Sequence, residues 1–255
     1  MAVIEKIIKS LCALLLGLSL AGCAGNTNSY NWGWYIFNPF QDKGLSNIEF
    51  LTGGLAATLL VSVCAIVLSV VMGALMALAA LSKRQSLQAM ARVYVEIFRA
   101  IPLLVLLLWV FYGLPVVLGL QLGIFVAGVL SLALSDSAFE AEVFRAGIQS
   151  VPKGQIEAAK SLGLSWFQQM RFIVAPQAVK VILPALGNQF IYVVKMSSLI
   201  SVIGLPELTR RANELNVNEY RPLEIYSFLV VEYLVLIVFI SWLVRQLEAR
   251  LAKQG

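Results

Sequence analysis

The sequence EAAKSLGLSWFQQMRFIVAP, residues 157–176, is the polar stretch around which the rest of the chain is arranged. Lys, Arg and Gln side chains recur along it, whereas apolar runs long enough to cross a bilayer stand on either side. Gly163 divides it into two amphipathic turns, and Pro176 is predicted to end it, because proline disrupts a helix interior. We therefore predict that residues 147–176, called loop 147–176 below, form a water-exposed loop at the membrane surface. This loop either lies among lipid headgroups or contacts a protein outside the membrane.

The composition is typical of a polytopic helical membrane protein. Of the 255 residues, 60% are hydrophobic and 13% are charged, whereas soluble domains carry roughly 25% charged residues. A water-soluble core could not bury so much apolar surface, and helices satisfy their own backbone hydrogen bonds in lipid. The sequence has no histidine, which excludes histidine-based acid–base catalysis and histidine metal ligation. Cys12, Cys23 and Cys64 lie in apolar runs without paired spacing, so we expect neither a disulfide framework nor a metal site, and no cofactor.

Apolar runs of membrane-crossing length predict an all-α domain over residues 51–255. Its five predicted spans are residues 51–81, 103–118, 124–146, 182–203 and 225–244. Pro102 is expected to kink the second span or to end a short helix before it.

The distribution of basic residues predicts how these spans are oriented. Cytoplasmic loops of membrane proteins are enriched in Lys and Arg. The segments assigned to the inside contain Lys83, Arg84, Arg92, Arg99, Lys153, Lys160, Arg171, Lys180, Arg245, Arg250 and Lys253. The segments assigned to the outside contain fewer basic residues, and glutamates partly offset them. Loop 147–176 and the C-terminus are therefore predicted to be cytoplasmic.

Residues 1–50 are predicted to form a signal-anchor or signal-like helix followed by an external aromatic loop. The apolar run 11–24 follows two lysines, as in a signal sequence, and is near the lower length limit for a span. We expect it to be retained as a signal-anchor, with cleavage as the alternative. Leu20–Cys23 reads LAGC and resembles a bacterial lipobox, so acylation of Cys23 is a third possibility. Residues 26–47 are rich in Trp, Tyr and Phe, which favour the membrane interface.

Charged residues inside the predicted spans are costly in lipid and often functional. Asp136 and Glu140 are four residues apart on the third span and therefore share a helix face. The fourth span contains Lys195, Met196, Ser197 and Ser198 in succession. These residues either line a transport pathway or hold the helices together, for instance by pairing Asp136 or Glu140 with Lys195.

The polar stretch resembles the EAA loop of the permease subunits of bacterial ABC importers. That motif reads E-A-A-x3-G-x9-I-x-L-P, and this chain matches it with Ala175 in place of the leucine. Residues 145–155, 184–190 and 198–204 are similar to the branch of the family that takes up polar amino acids of the histidine, glutamine, glutamate or arginine type. The resemblance extends over roughly residues 54–251 and implies a five-span permease core with an extra N-terminal hydrophobic segment.

In this family the EAA loop is the coupling helix that docks on a cytoplasmic ATPase subunit. The resemblance therefore assigns ATPase coupling to Glu157, Ala158, Ala159, Leu162, Gly163 and Pro176. It also implies four further partners: an ATPase dimer, a second permease copy or paralogue, a periplasmic amino-acid-binding protein and the bacterial inner membrane. Nucleic acid is not expected. Because the chain lacks the G-x-x-x-x-G-K-[ST] phosphate loop, ATP hydrolysis is expected in the partner and not in this chain.

The chain departs from the family pattern where substrate contacts are expected. Residues 135–137 read SDS where relatives read N-S-G, and Met196 stands where an acid is usual. The substrate preference of relatives cannot be transferred for that reason. Asp136, Glu140, Lys195, Met196, Ser197 and Ser198 are therefore candidates for the substrate pathway. The alternative function is an ion-coupled secondary amino-acid transporter, which would require more spans and usually internal repeats.

Overall fold

The computed structural model describes residues 30–252, and the regular elements in that range are helices. A short 3₁₀ turn at Trp34–Phe37 comes first. The α-helices that follow are α1 (Asp42–Thr52), α2 (Leu55–Ala80), α3 (Gln85–Ala100), α4 (Leu103–Leu118), α5 (Ile124–Gln149), α6 (Lys153–Ser161), α7 (Trp166–Ile203), α8 (Leu208–Glu219) and α9 (Pro222–Ala252). The predictions for residues 11–24, including a signal-anchor helix and acylation of Cys23, lie outside the described residues.

The chain divides into two compact units, residues 1–35 and 36–255. Among the described residues of the first unit, Tyr30 meets Trp32 edge to face with ring centroids 5.2 Å apart, and Trp32 stacks on Trp34 at 5.7 Å. The assignment of this segment to an external loop at the membrane interface stays a prediction. The functional division at residue 50 stays a prediction.

The first helix begins earlier than the sequence analysis placed it. α1 starts at Asp42, so the end of the segment assigned to an external loop is helical. Asn47 fixes this start by donating from Nδ2 to the Ile36 carbonyl at 3.0 Å. A Cβ atom at Gly44 would lie 2.2 Å from the Asn38 carbonyl oxygen, so only glycine lets the preceding turn fold back on the helix.

The five-span expectation is confirmed. Four helical stretches of the described range are long and apolar enough to cross a bilayer: α1 with α2, α5, α7 and α9. The fifth candidate is the pair α3 and α4, which passes the same test of length and composition when the two helices, bent by 101°, are counted as one span. Pro102 lies at this bend, between the end of α3 and the start of α4, so the predicted break there is confirmed. If α4 crosses the membrane, the angle of 101° places α3 along the membrane surface.

α5 is the central helix and packs against α2, α3, α4 and α7. The buried residues of α2 are mostly small or polar: Thr58, Val61, Ser62, Ala65, Ser69, Gly73 and Ala77. At Gly73, α2 and α5 are so close that an added Cβ atom would lie 2.8 Å from Cβ of Glu140. Such close approach of backbones stabilises helix pairs in lipid, where no hydrophobic force drives association.

The prediction that Pro176 ends a helix is wrong. α7 begins at Trp166 and runs without interruption to Ile203, so the second half of the polar stretch is the first part of a membrane-length helix. A π turn at Met170–Val174 lies immediately before Pro176. This wider turn accommodates the proline ring, which would otherwise collide with the carbonyl one turn earlier.

α8 is attached to the bundle by the buried side chain of Glu207, which is 0% exposed. Its carboxylate caps α8 by accepting hydrogen bonds from the backbone N–H groups of Thr209 at 3.0 Å and Arg210 at 2.7 Å. The Tyr233 hydroxyl of α9 donates a third bond at 3.1 Å. Burial raises the pKa of Glu207 above its usual value, although these hydrogen bonds favour the charged form.

We expect Glu207 to make the stability of this attachment depend on pH. A carboxyl group whose pKa is raised by folding contributes stability that is fully present below its unfolded pKa of about 4.3 and is lost as pH rises through the folded value. The melting temperature of the native protein minus that of Glu207→Gln should therefore be larger at pH 4 than at pH 8. Thermal unfolding of both proteins in the same detergent measures this difference. A difference that is constant or grows with pH would contradict the expectation.

Candidate functional site

The centre of loop 147–176 is a tight turn at the end of α6. Gly163 has a left-handed backbone with φ of +74°. Its N–H donates to the Lys160 carbonyl at 2.9 Å, and the N–H of Leu164 donates to the Ala159 carbonyl at 3.1 Å. These two hydrogen bonds satisfy carbonyls that the end of a helix leaves free. Because a side chain strains this backbone conformation, Gly163 is required by the turn itself.

The start of α7 is also fixed by local hydrogen bonds. Ser165 forms a capping box with Gln168: its N–H donates to Oε1 at 2.8 Å, and its Oγ accepts from the Gln168 N–H at 3.4 Å. Gln169 Nε2 donates to the Leu164 carbonyl at 2.6 Å. The direction in which α7 leaves the turn is therefore set by residues next to the turn.

The turn presents a surface that is partly apolar and partly charged. The exposed members of the predicted coupling set on α6 and the turn are Glu157, Ala158, Leu162 and Gly163. Leu162 is 80% exposed, and two aromatic side chains of α7 beside it, Trp166 and Phe167, are 66% and 65% exposed. A partner protein could bury these apolar groups while meeting the carboxylate of Glu157.

The other two members of the predicted coupling set lie elsewhere. Ala159 is only 3% exposed, so its side chain packs inside the loop. Pro176 is exposed but lies on α7 beyond the π turn. The motif alone could not separate Ala158 from Ala159, because the direction each side chain takes depends on how α6 rotates against α7.

Loop 147–176 is joined to the membrane helices on both sides. Gln177 of α7 donates from Nε2 to the side-chain oxygen of Gln155 and to the Ile173 carbonyl, the latter at 2.8 Å. An added Cβ atom at Gly147, near the end of α5, would lie 2.3 Å from Cγ1 of Ile182 on α7. α5 and α7 are therefore in close contact where the loop begins, and a displacement of the loop must move α7.

The acids of the third span lie inside the helix bundle. Asp136 is 3% exposed and accepts hydrogen bonds from Ser69 Oγ of α2 at 2.9 Å and from Gln189 Nε2 of α7. Glu140 is 0% exposed, and neither of its carboxyl oxygens has a hydrogen-bond partner among residues 30–252. Sequence reasoning missed Ser69 and Gln189, although polar side chains in otherwise apolar spans are a usable signal.

Lys195 does not pair with either acid. It is exposed on α7 and forms no salt bridge with any residue of the described range. Ser197 is buried and donates from Oγ to the Val194 carbonyl at 2.8 Å, while Ser198 donates to the Lys195 carbonyl at 2.8 Å. Met196 is partly buried in the core cluster around α4, α5 and the end of α7. Of the six pathway candidates, only Lys195 is exposed in this conformation.

Solved structures with this fold include one transporter whose sequence is 40% identical to this chain. The chain aligns with the crystal structure of an amino acid ABC transporter with histidines, with a TM-score of 0.76, 40% identity and coverage of 81% of this chain and 96% of that chain. An inward-facing structure of the MetNI methionine ABC transporter aligns with a TM-score of 0.70 and 20% identity over 81% of this chain and 98% of that one, and supports the fold alone.

Sequence comparison leads to the same group of proteins. The chain is 41% identical over 207 residues to the probable glutamine ABC transporter permease protein GlnM of Bacillus subtilis (strain 168), which covers 81% of this chain and 95% of that protein. It is 34% identical over 207 residues to the arginine transport system permease protein ArtQ of the same organism, covering 81% and 94%. Residues 69–253 match the family model described as binding-protein-dependent transport system inner membrane component. The chain therefore belongs to the binding-protein-dependent transport system inner membrane components, the permease family that its EAA loop predicted.

Proposed function

We propose that this chain is the membrane subunit of an ATP-driven importer of polar amino acids. The observation that carries the proposal is loop 147–176, whose exposed turn continues directly into the membrane-length helix α7. Such a loop couples an external protein to the membrane pathway, because a force on the turn acts on α7 without a flexible connection between them. The relatives named above, described as glutamine and arginine permeases, support an amino acid as the substrate.

The proposed assembly contains this chain, a second permease, two ATPase subunits and a periplasmic amino-acid-binding protein. The exposed carboxylate of Glu157 and the exposed apolar side chains of Leu162, Trp166 and Phe167 dock on the ATPase. In this assembly loop 147–176 and the C-terminus face the cytoplasm, as the basic residues predict. Closure of the ATPase pair moves the loops of both permeases, and the two bundles rock between outward and inward openings.

The substrate-pathway candidates take different roles in this proposal. Lys195 is exposed and supplies a cation for the substrate carboxylate, with Met196 and Ser198 beside it. Asp136 and Glu140 lie between α2 and α5, so they can meet substrate only in a conformation that separates these helices. In the conformation described here, Asp136 and Ser197 serve packing through their hydrogen bonds.

The proposal is tested by uptake into proteoliposomes that contain the complete complex and its binding protein, with acidic, basic and amide amino acids as substrates. We expect uptake to require ATP hydrolysis and to persist when proton and sodium gradients are abolished. Lys195→Gln should lower uptake about tenfold, as expected when a charged group loses about 1.4 kcal/mol of interaction, while the ATPase still co-purifies. Uptake driven by an ion gradient without ATP would favour a secondary transporter and refute the proposal.

A further inference from the structure

A cavity of about 480 Å³ lies between α3 and the adjoining ends of α2 and α5, at the end of the bundle that carries loop 147–176. Three of its charged side chains come from α3 and two from α5: Arg92, Glu96, Arg99, Glu142 and Arg145. The rest of its wall is formed by Met76 and Ala80 of α2, Gln88, Ala91 and Val95 of α3, and Ala141 and Gln149 of α5. The assembly proposed above gives this cavity no role.

The charges of the cavity do not cancel. Arg145 is matched by Glu142, to which it donates two hydrogen bonds at 2.6 and 3.2 Å. Arg99 lies over the ring of Phe139 at 5.2 Å, and neither it nor Arg92 forms a salt bridge with a residue of the described range. The remaining charged groups are the guanidinium groups of Arg92 and Arg99 and the carboxylate of Glu96. The cavity therefore has a net charge of one positive unit.

The geometry of α3 places this cavity at the level of lipid headgroups. α3 meets α4 at 101°, so a crossing of the bilayer by α4 places α3 along the membrane surface. Its side chains Met90, Val93 and Ile97 are 49%, 54% and 48% exposed and share one face by their spacing. The cavity-lining side chains of α3 occupy a different face. An apolar face that meets acyl chains beside a charged face is typical of a helix in the membrane interface.

We infer that this cavity binds the phosphodiester headgroup of an anionic phospholipid. The guanidinium groups of Arg92 and Arg99, which form no salt bridge within the described residues, offer paired N–H donors suited to phosphate oxygens. The single excess positive charge of the cavity matches the charge of the phosphodiester. Basic pockets between helices on the cytoplasmic side of a membrane favour such headgroups. The apolar wall, which includes Met76, Ala80 and Val95, accommodates the glycerol and the first methylene groups. The inference rests on α4 crossing the bilayer and on the proposed cytoplasmic orientation of loop 147–176, and it does not depend on the substrate or on the ATPase.

The test is native mass spectrometry of the detergent-purified full-length protein titrated with phosphatidylglycerol or phosphatidylcholine. We expect phosphatidylglycerol to bind more tightly than phosphatidylcholine. Arg92→Gln and Arg99→Gln should each weaken phosphatidylglycerol binding about fivefold, the loss expected for one basic residue near an anionic surface. The matched control is Lys83→Gln with Arg84→Gln, because these residues are exposed in the turn before α3 but do not line the cavity. The control should change binding by less than twofold.

Three outcomes would overturn the inference. Equal weakening by the control pair would show attraction to a general basic surface instead of a site. Displacement of the lipid by millimolar inorganic phosphate or glycerol 3-phosphate would show a site for a soluble phosphate. Equal binding of the two lipids, with no effect of the arginine variants, would show that the cavity binds neither headgroup. Melting temperatures of the variants, measured in parallel, ensure that weaker binding does not reflect unfolding.

Discussion

Reversal of the charge at Glu157 is expected to abolish co-purification of the ATPase and to reduce ATP-driven uptake at least about 30-fold. Glu157 is exposed on α6, so Glu157→Lys should change the free energy of unfolding by no more than about 0.5 kcal/mol. At a docked surface, a mispaired charge that loses its solvent costs about 2–5 kcal/mol, which corresponds to a 30- to several-thousand-fold loss of affinity. Pull-down of the ATPase through a tagged permease, together with uptake into proteoliposomes, measures both effects.

The matched control for this experiment is Glu49→Lys, which reverses an exposed glutamate on α1 at a distance along the chain from loop 147–176. It should leave both pull-down and uptake unchanged. Gly163→Arg would be less informative, because a side chain at φ of +74° strains the turn whether or not a partner docks there. If Glu157→Lys retains the ATPase and transports normally, the docking surface has been assigned wrongly.

Gly73→Val should lower the melting temperature of the protein by on the order of 10 °C and reduce the yield of folded protein. An added Cβ atom would lie 2.8 Å from Cβ of Glu140, 3.0 Å from the Ser137 carbonyl oxygen and 3.1 Å from the Ala141 nitrogen. Two of these three atoms are backbone, so α2 and α5 must move apart, and overpacking of this kind costs about 3 kcal/mol. Size-exclusion analysis after heating in detergent provides the measurement.

The control for Gly73 is Gly123→Val, because no atom of the residues that the structure describes lies within 4 Å of an added Cβ atom at Gly123. Its φ of −63° is also accessible to other residues, so the substitution should shift the melting temperature by only a degree or two. Similar shifts for both valine variants would mean that the contact between α2 and α5 is not close enough to stabilise the bundle.

The arrangement of spans could be predicted from sequence because it depends on local properties. Apolar length identified the membrane helices, Pro102 identified the bend between α3 and α4, and the motif identified the loop and its glycine. Each of these features depends on a continuous stretch of sequence, from a single proline to a window of about 20 residues.

The errors occurred where an irregular turn or the packing of one helix on another decides the outcome. Pro176 remains inside α7 because a π turn absorbs it, and no proline rule based on neighbouring residues foresees this. Ala159 is buried because of how α6 rotates against α7. Lys195 was a reasonable partner for Asp136 by charge, but the bundle places Ser69 and Gln189 beside that carboxyl group instead.

The two hydrogen bonds to Asp136 have a consequence for biogenesis. Ser69 is synthesised 67 residues before Asp136, and Gln189 is synthesised 53 residues after it. When α5 leaves the ribosome, Ser69 has therefore already been synthesised, whereas Gln189 has not. At this stage Asp136 has only one of its two hydrogen-bond donors. Insertion of an aspartate at the centre of a membrane helix by the translocon costs about 2.5–3.5 kcal/mol. Until α7 arrives, α5 must be retained near α2 or shielded by the insertion machinery.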